Sequence, residues 1–214
     1  MAKTKTIPRG LYAITDEALI PEGKLEAAVA RAVAGGAVVI QYRSKNPDRM
    51  RQRREAQTLV ELCTPLGVPL IINDDVALAR ESGAAGVHLG REDEAIATAR
   101  AALGPDAIIG VSCYNRFEHA LAAQAAGADY IAFGSFFTSA TKPAAVRAEP
   151  ALLERARREL RVPAVAIGGI TPENGAQLVR AGAHMLAVIS GLFGTADTTA
   201  AARRYAALFD TSIN

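Results

Sequence analysis

Short apolar runs recur along the chain at intervals of about 25 residues, each closed by polar residues and followed by a stretch with helical apolar spacing. Leu11-Tyr12-Ala13-Ile14, Val38-Val39-Ile40-Gln41, Leu70-Ile71-Ile72 and Gly86-Val87-His88-Leu89 make up the first half. Ile108-Ile109-Gly110-Val111, Tyr130-Ile131-Ala132-Phe133, Ala164-Val165-Ala166-Ile167 and Met185-Leu186-Ala187-Val188-Ile189 make up the second. All eight are too short for helices, and glycine or a preceding Val-Pro bounds most of them, so they predict buried strands. The stretches between them, such as Leu25, Val29 and Val33 or Leu59, Leu62 and Cys63 with charges on the opposite face, predict helices. A Gly-Ala pair joins helix to strand at Gly36-Ala37, Gly83-Ala84, Gly127-Ala128 and Gly182-Ala183, where a helix C-cap belongs.

Strict alternation of strand and helix demands parallel strands with right-handed crossovers. Near-continuous apolar strands are buried on both faces, which a doubly wound sheet or a closed barrel satisfies. Eight strands in 214 residues match the (β/α)₈ barrel, an α/β TIM barrel forming a single domain over residues 1–214. The longest irregular stretch, Phe137 to Glu149, follows the sixth strand and reads as a lid or binding loop.

Composition narrows the function. Half the residues are apolar, and a chain of this length buries about 70% of its extended surface on folding, so the core needs no disulfide or metal staple. Lys and Arg number 24 against 22 Asp and Glu, a net charge of +2 that lacks the basic excess of an obligate nucleic-acid binder. Neither a signal-peptide h-region nor an apolar span of membrane length is present, so no membrane partner is expected. Cys63 and Cys113 lack CxxC spacing and sit in apolar surroundings; they read as buried free thiols of a cytoplasmic protein.

Barrel chemistry sits at the C-terminal ends of the strands, and those ends are polar here. They carry Thr15-Asp16, Gln41-Tyr42-Arg43-Ser44-Lys45, Asn73-Asp74-Asp75, Gly90-Arg91-Glu92-Asp93, Ser112, Ser135 with Thr138-Ser139-Ala140-Thr141-Lys142, Gly168-Gly169 and Ser190-Gly191. Alternation puts Gln41, Arg43 and Lys45 on one side of the second strand, a cationic edge suited to pyrophosphate or, equally, a solvated end paired with acids. Asp74 and Asp93 end adjacent strands and suit Mg²⁺. The Asn73-Asp74-Asp75 string also reads as a helix N-cap, with Asp75 as the capping residue. Gly168-Gly169 before Thr171-Pro172-Glu173, together with Ser190-Gly191, occupies the place where barrels bind phosphate through backbone N–H groups.

Other features carry less. His88, His119 and His184 have no metal-ligand spacing and read as core or surface residues, His184 at the stabilising end of the barrel. Arg49, Arg51, Arg53 and Arg54 lack interleaved aromatics and read as a solvated helix face. No GxGxxG, Walker A or GxSxG motif occurs.

From Gly10-Leu11-Tyr12-Ala13-Ile14-Thr15-Asp16 to Val188-Ile189-Ser190-Gly191 the strand-end strings resemble the thiamine-phosphate synthase family over nearly the whole chain. The resemblance implies a (β/α)₈ barrel that joins hydroxymethylpyrimidine pyrophosphate to a thiazole phosphate and releases pyrophosphate. By it, Gln41-Tyr42-Arg43-Ser44-Lys45, Asn73, Ser112 and Lys142 would hold the pyrimidine and its pyrophosphate, with Arg43, Lys45, Ser112 and Lys142 as the catalytic groups. Asp74 and Asp93 would be Mg²⁺ ligands, and Ser139-Ala140-Thr141, Gly169, Ile189 and Ser190 would hold the thiazole phosphate. The lid departs from the family's pattern: Thr138-Ser139-Ala140-Thr141-Lys142 lacks the prolines that stiffen it elsewhere.

Competing readings make separate predictions. The related thiazole tautomerase branch shares the Gly-Gly site but carries a His where Ser135 stands here, and it would turn over thiazole phosphate alone. A silent binder of thiazole or thiamine phosphate would be stabilised by thiamine phosphate without forming product. A generic sugar-phosphate barrel enzyme would be protected by sugar phosphates instead. The partners expected are small molecules, with a homo-oligomer left open, and the pyrimidine is expected to arrive already pyrophosphorylated.

Overall fold

A computed structural model describes residues 6–90, 95–138 and 146–210. Eight parallel strands close in chain order: β1 (Gly10–Ile14), β2 (Ala37–Tyr42), β3 (Leu70–Asn73), β4 (Gly86–Leu89), β5 (Ile108–Tyr114), β6 (Tyr130–Gly134), β7 (Ala164–Ile167) and β8 (Met185–Val188), with β8 pairing back onto β1. Helices α1 (Leu25–Ala34), α2 (Arg49–Cys63), α3 (Val76–Ser82), α4 (Ile96–Leu103), α5 (Phe117–Ala125), α6 (Pro150–Glu159) and α7 (Pro172–Ala181) cross between them. After β8 come a single turn, α8 (Ser190–Phe193), and α9 (Thr198–Ala206), which packs on α1 and completes the ring. The eight expected strands are therefore present as a closed barrel.

Alternation along each strand sorts the apolar residues into two layers. Leu11, Ile40, Ile72, Leu89, Ile131, Phe133 and Leu186 face outward and form the larger core with Leu59, Leu153 and Leu178 of the helices. Tyr12, Ile14, Val39, Ile71, Tyr130, Val165, Met185 and Ala187 fill the barrel itself. At its base Ile7 is buried, and its carbonyl accepts from His184 Nε2 at 2.9 Å, so the segment entering β1 closes that end. Also at the base, Asp129 accepts from the Ile109 amide at 2.8 Å and pairs with Arg100 at 2.6 Å.

Local chemistry sets the element ends. Gly83 and Gly182 cap α3 and α7 in the left-handed conformation, with φ of 73° and 116°, which a Cβ would disfavour. Asp48, Asp75 and Asp197 accept from backbone amides in the first turns of α2, α3 and α9. Cys63 and Cys113 are buried free thiols, and desolvation pushes them up to about 11 and about 12, out of the reactive range.

Candidate active site

The polar strand ends gather at one mouth of the barrel, and its two sides are built differently. On the β2 side, Gln41 is 3% exposed and belongs to the barrel interior, where its Nε2 donates to the Tyr12 hydroxyl at 2.8 Å. The strand ends at Tyr42, so alternation does not place Arg43 and Lys45 as the sequence pattern predicts. Loop contacts place them instead. The Arg43 amide donates to Thr15 Oγ1 at 2.9 Å and its guanidinium pairs with Asp16 at 3.1 Å. Glu17 accepts from Ser44 Oγ at 2.9 Å and from the Lys45 and Asn46 amides at 3.1 and 3.2 Å, fixing the loop's main chain while the Lys45 side chain stays exposed.

Tyr42 departs from the expected constellation. Next to inward Gln41 it must face outward. Its hydroxyl donates to Glu55 of α2 at 2.7 Å, and Glu55 also receives Arg51 Nε at 2.8 Å. Desolvation, reinforced by Glu55, holds this phenol well above its ordinary range. The Tyr42 side chain thus packs between β2 and α2.

At the end of β3 the Asn73-Asp74-Asp75 string divides its work. Asp75 caps α3, accepting from the Leu78 amide at 2.7 Å, and pairs with Arg49. Asp74 is exposed and has a φ of 63°, a left-handed conformation that Asp tolerates better than most residues. Its amide donates to the His88 carbonyl at 2.8 Å, and its Oδ2 accepts from Asn73 Nδ2 at 2.6 Å. β5 runs on past Val111, and its ladder with β6 slips between Ser112 and Tyr114. A bulge of this kind re-aims a strand end.

Three residues that sequence reasoning did not select connect these positions. The Tyr12 and Tyr130 hydroxyls lie 2.7 Å apart, Tyr130 meets His88 Nδ1 at 2.9 Å, and His88 Nε2 meets Ser112 Oγ at 2.9 Å. Thus Gln41 and Ser112 are joined through the barrel interior. The Tyr130 ring fits because Gly110 of β5 has no side chain: a Cβ there would sit inside the ring. One available signal was a polar His88 within an otherwise apolar strand run.

The β7–β8 side is built from backbone. Gly168 and Gly169 have φ of 104° and 60°, and a Cβ would drive Gly168 into Ser135 and Gly169 into the Thr138 carbonyl. The Phe136 and Phe137 amides donate to the Ile167 and Gly168 carbonyls at 3.1 and 3.0 Å, drawing the β6 exit loop against this pair. Thr171 and Asn174 form a reciprocal capping box, and Asn174 Nδ2 also donates to the Gly169 carbonyl at 3.0 Å. Ile189 leads directly into Ser190 and the turn of α8.

Asp93, Ser139, Ala140, Thr141 and Lys142 lie outside the described residues. Among the described residues, no group of three or more His, Cys, Asp and Glu converges as a metal cage. Asp74 at the mouth is nevertheless the kind of donor Mg²⁺ uses, since that ion takes one or two carboxylates and completes its shell with water and substrate phosphate. No helix among the described residues is long and apolar enough to cross a membrane.

Comparison with known proteins agrees with the fold. Residues 11–192 match the family model described as thiamine monophosphate synthase. The chain is 54% identical to the thiamine-phosphate synthase of Nitrosococcus oceani over 197 residues, 92% of this chain and 91% of that one. It is also 54% identical to the enzyme of the same name from Azoarcus sp. strain BH72, covering 94% and 97%. Among solved structures, thiamine phosphate pyrophosphorylase from Pyrococcus furiosus superposes with a TM-score of 0.83 at 34% identity, covering 93% and 94%.

Proposed function

The chain belongs to the thiamine monophosphate synthase family, and from that premise we propose how its barrel mouth divides the work of a thiamine-phosphate synthase. The enzyme transfers a pyrimidinylmethyl group: the bond from the pyrimidine methylene carbon to pyrophosphate breaks, pyrophosphate leaves with the electron pair, and the thiazole nitrogen forms the new bond. An electron-rich aminopyrimidine stabilises positive charge at that carbon, so no covalent nucleophile is required. The protein's task is to hold the developing charge on the departing oxygens and keep water away.

In this reading Gln41 and Asn73 orient the pyrimidine, while Arg43, Lys45, Ser112 and Lys142 meet the pyrophosphate. Arg43 is already aimed by Asp16 and Thr15, so little reorganisation accompanies binding. Asp74 at the mouth suits Mg²⁺ and Asp93 is the second carboxylate we assign to it; the ion would neutralise charge on the pyrophosphate oxygens. The thiazole phosphate rests on the backbone of Gly169, Ile189 and Ser190, with Ser139, Ala140 and Thr141 contributing from the loop after β6. The observation that carries the reading is convergence: β2, β3 and β5 bring Gln41, Asn73, Asp74 and Ser112 to the same mouth as the β7 glycine pair. The reduced thiols suit a reducing compartment, and the cytoplasm is the proposed location.

The test is incubation with hydroxymethylpyrimidine pyrophosphate and thiazole phosphate, with Mg²⁺ or excess chelator, reading thiamine phosphate as fluorescent thiochrome. Mg²⁺-dependent product formation is expected, and Asp74→Ala should abolish the dependence together with most of the activity. Full activity in chelator would overturn the metal assignment.

A further inference from the structure

A buried chain of hydrogen bonds crosses the barrel below the mouth, from Gln41 through Tyr12, Tyr130 and His88 to Ser112. Proton bookkeeping gives it a direction. Each phenol has one hydrogen. Tyr12 is 1% exposed and its oxygen accepts from Gln41 Nε2, so among the described residues its hydrogen has the Tyr130 oxygen to meet. Tyr130, also 1% exposed, then directs its hydrogen to His88 Nδ1. A neutral imidazole accepting at Nδ1 carries its proton on Nε2 and donates it to Ser112 Oγ. The Ser112 hydroxyl is thereby an acceptor within the chain, and its own hydrogen is left for a ligand at the mouth. With the Gln41 amide oriented so that Nε2 faces Tyr12, the opposite direction would bring two donors to Tyr12 and leave its hydrogen buried without an acceptor, a costly arrangement. Burial holds both phenols protonated far above their ordinary range, with the Tyr130–Tyr12 contact adding to the rise at Tyr130. Ring packing fixes the same geometry: His88 stacks on Tyr130 at 5.6 Å and Tyr12 meets it edge-on at 5.9 Å.

We propose that Tyr12, Tyr130 and His88 are positioning residues that act through Ser112, holding its hydroxyl as a hydrogen-bond donor to the departing pyrophosphate. This rests on the synthase reading and assigns work to side chains buried below the mouth. Tyr130→Phe keeps the ring and removes the link. It should lower kcat about 10-fold, with a smaller change in KM, while the thermal midpoint stays within a few degrees. In a Ser112→Ala background the same change should cost less than about 2-fold, because the group it positions is gone. His88→Gln, which can still present an N–H to Ser112, should retain more activity than His88→Leu. In nitrogen-15 spectra of the whole protein, His88 should show a protonated Nε2 and an unprotonated Nδ1. Equal losses from Tyr130→Phe in both backgrounds, full activity in that variant, or an Nδ1-protonated His88 would overturn the proposal. An inactive wild-type protein would instead overturn the synthase reading on which it rests.

Discussion

The two sides of the mouth are built from different materials. On the β2–β5 side, side chains are aimed by other side chains: Asp16 and Thr15 hold Arg43, and Glu17 ties down the loop from Ser44 to Asn46. On the β7–β8 side the contacts come from main chain, and Gly168 and Gly169 make room for it by lacking a Cβ. Deleting an atom should therefore harm the first side, and adding one should harm the second.

Four experiments bear on that contrast. The largest effect is expected from Arg43→Ala, which would remove the donor proposed for the leaving oxygens and should lower kcat about 100-fold in the thiochrome assay. Next, chelation should weaken binding of the pyrimidine pyrophosphate at least about 10-fold while thiazole phosphate affinity, measured by calorimetry, changes less than about 2-fold. Equal loss for both ligands would end the division of labour. Gly169→Ala should raise KM for thiazole phosphate about 10-fold, because the added methyl meets the Thr138 carbonyl, and should leave KM for the pyrimidine nearly unchanged. The smallest effect belongs to Tyr42→Phe. Its hydroxyl serves Glu55 rather than the mouth, so activity should persist with about 1 kcal/mol lost in denaturant unfolding. A large fall in kcat there would return Tyr42 to the site.

How much of this was legible in the chain depends on which neighbours decide a residue's role. Strands buried on both faces must be apolar throughout, so all eight stood out, with ends displaced by at most one residue outside β5. β5 ran three residues beyond its apolar run because a bulge at Ser112 to Tyr114 extends it with polar residues. The glycine pair after β7 was visible because glycine is itself the signal. Parity separated Gln41 from Tyr42, but the segment resembled a ligand loop as a unit, and the outward side chain was carried along with it. Arg43 and Lys45 lie past the strand end, where loop contacts decide orientation. The Tyr12, Tyr130 and His88 chain was hidden for a further reason. Its members lie on β1, β6 and β4, and only the closed ring makes them neighbours. Their identities alone suggest core packing.

The sealed base bears on traffic through the molecule. With Ile7 and His184 closing the far end and Tyr12, Tyr130 and Met185 filling the bore above it, the barrel formed by the described residues is a cup whose lip is the mouth. In the synthase reading, substrates and products alike would cross that lip. A ligand seated deep in such a cup would arrive before, and leave after, one lodged at the rim, which would act as a stopper for the one beneath it.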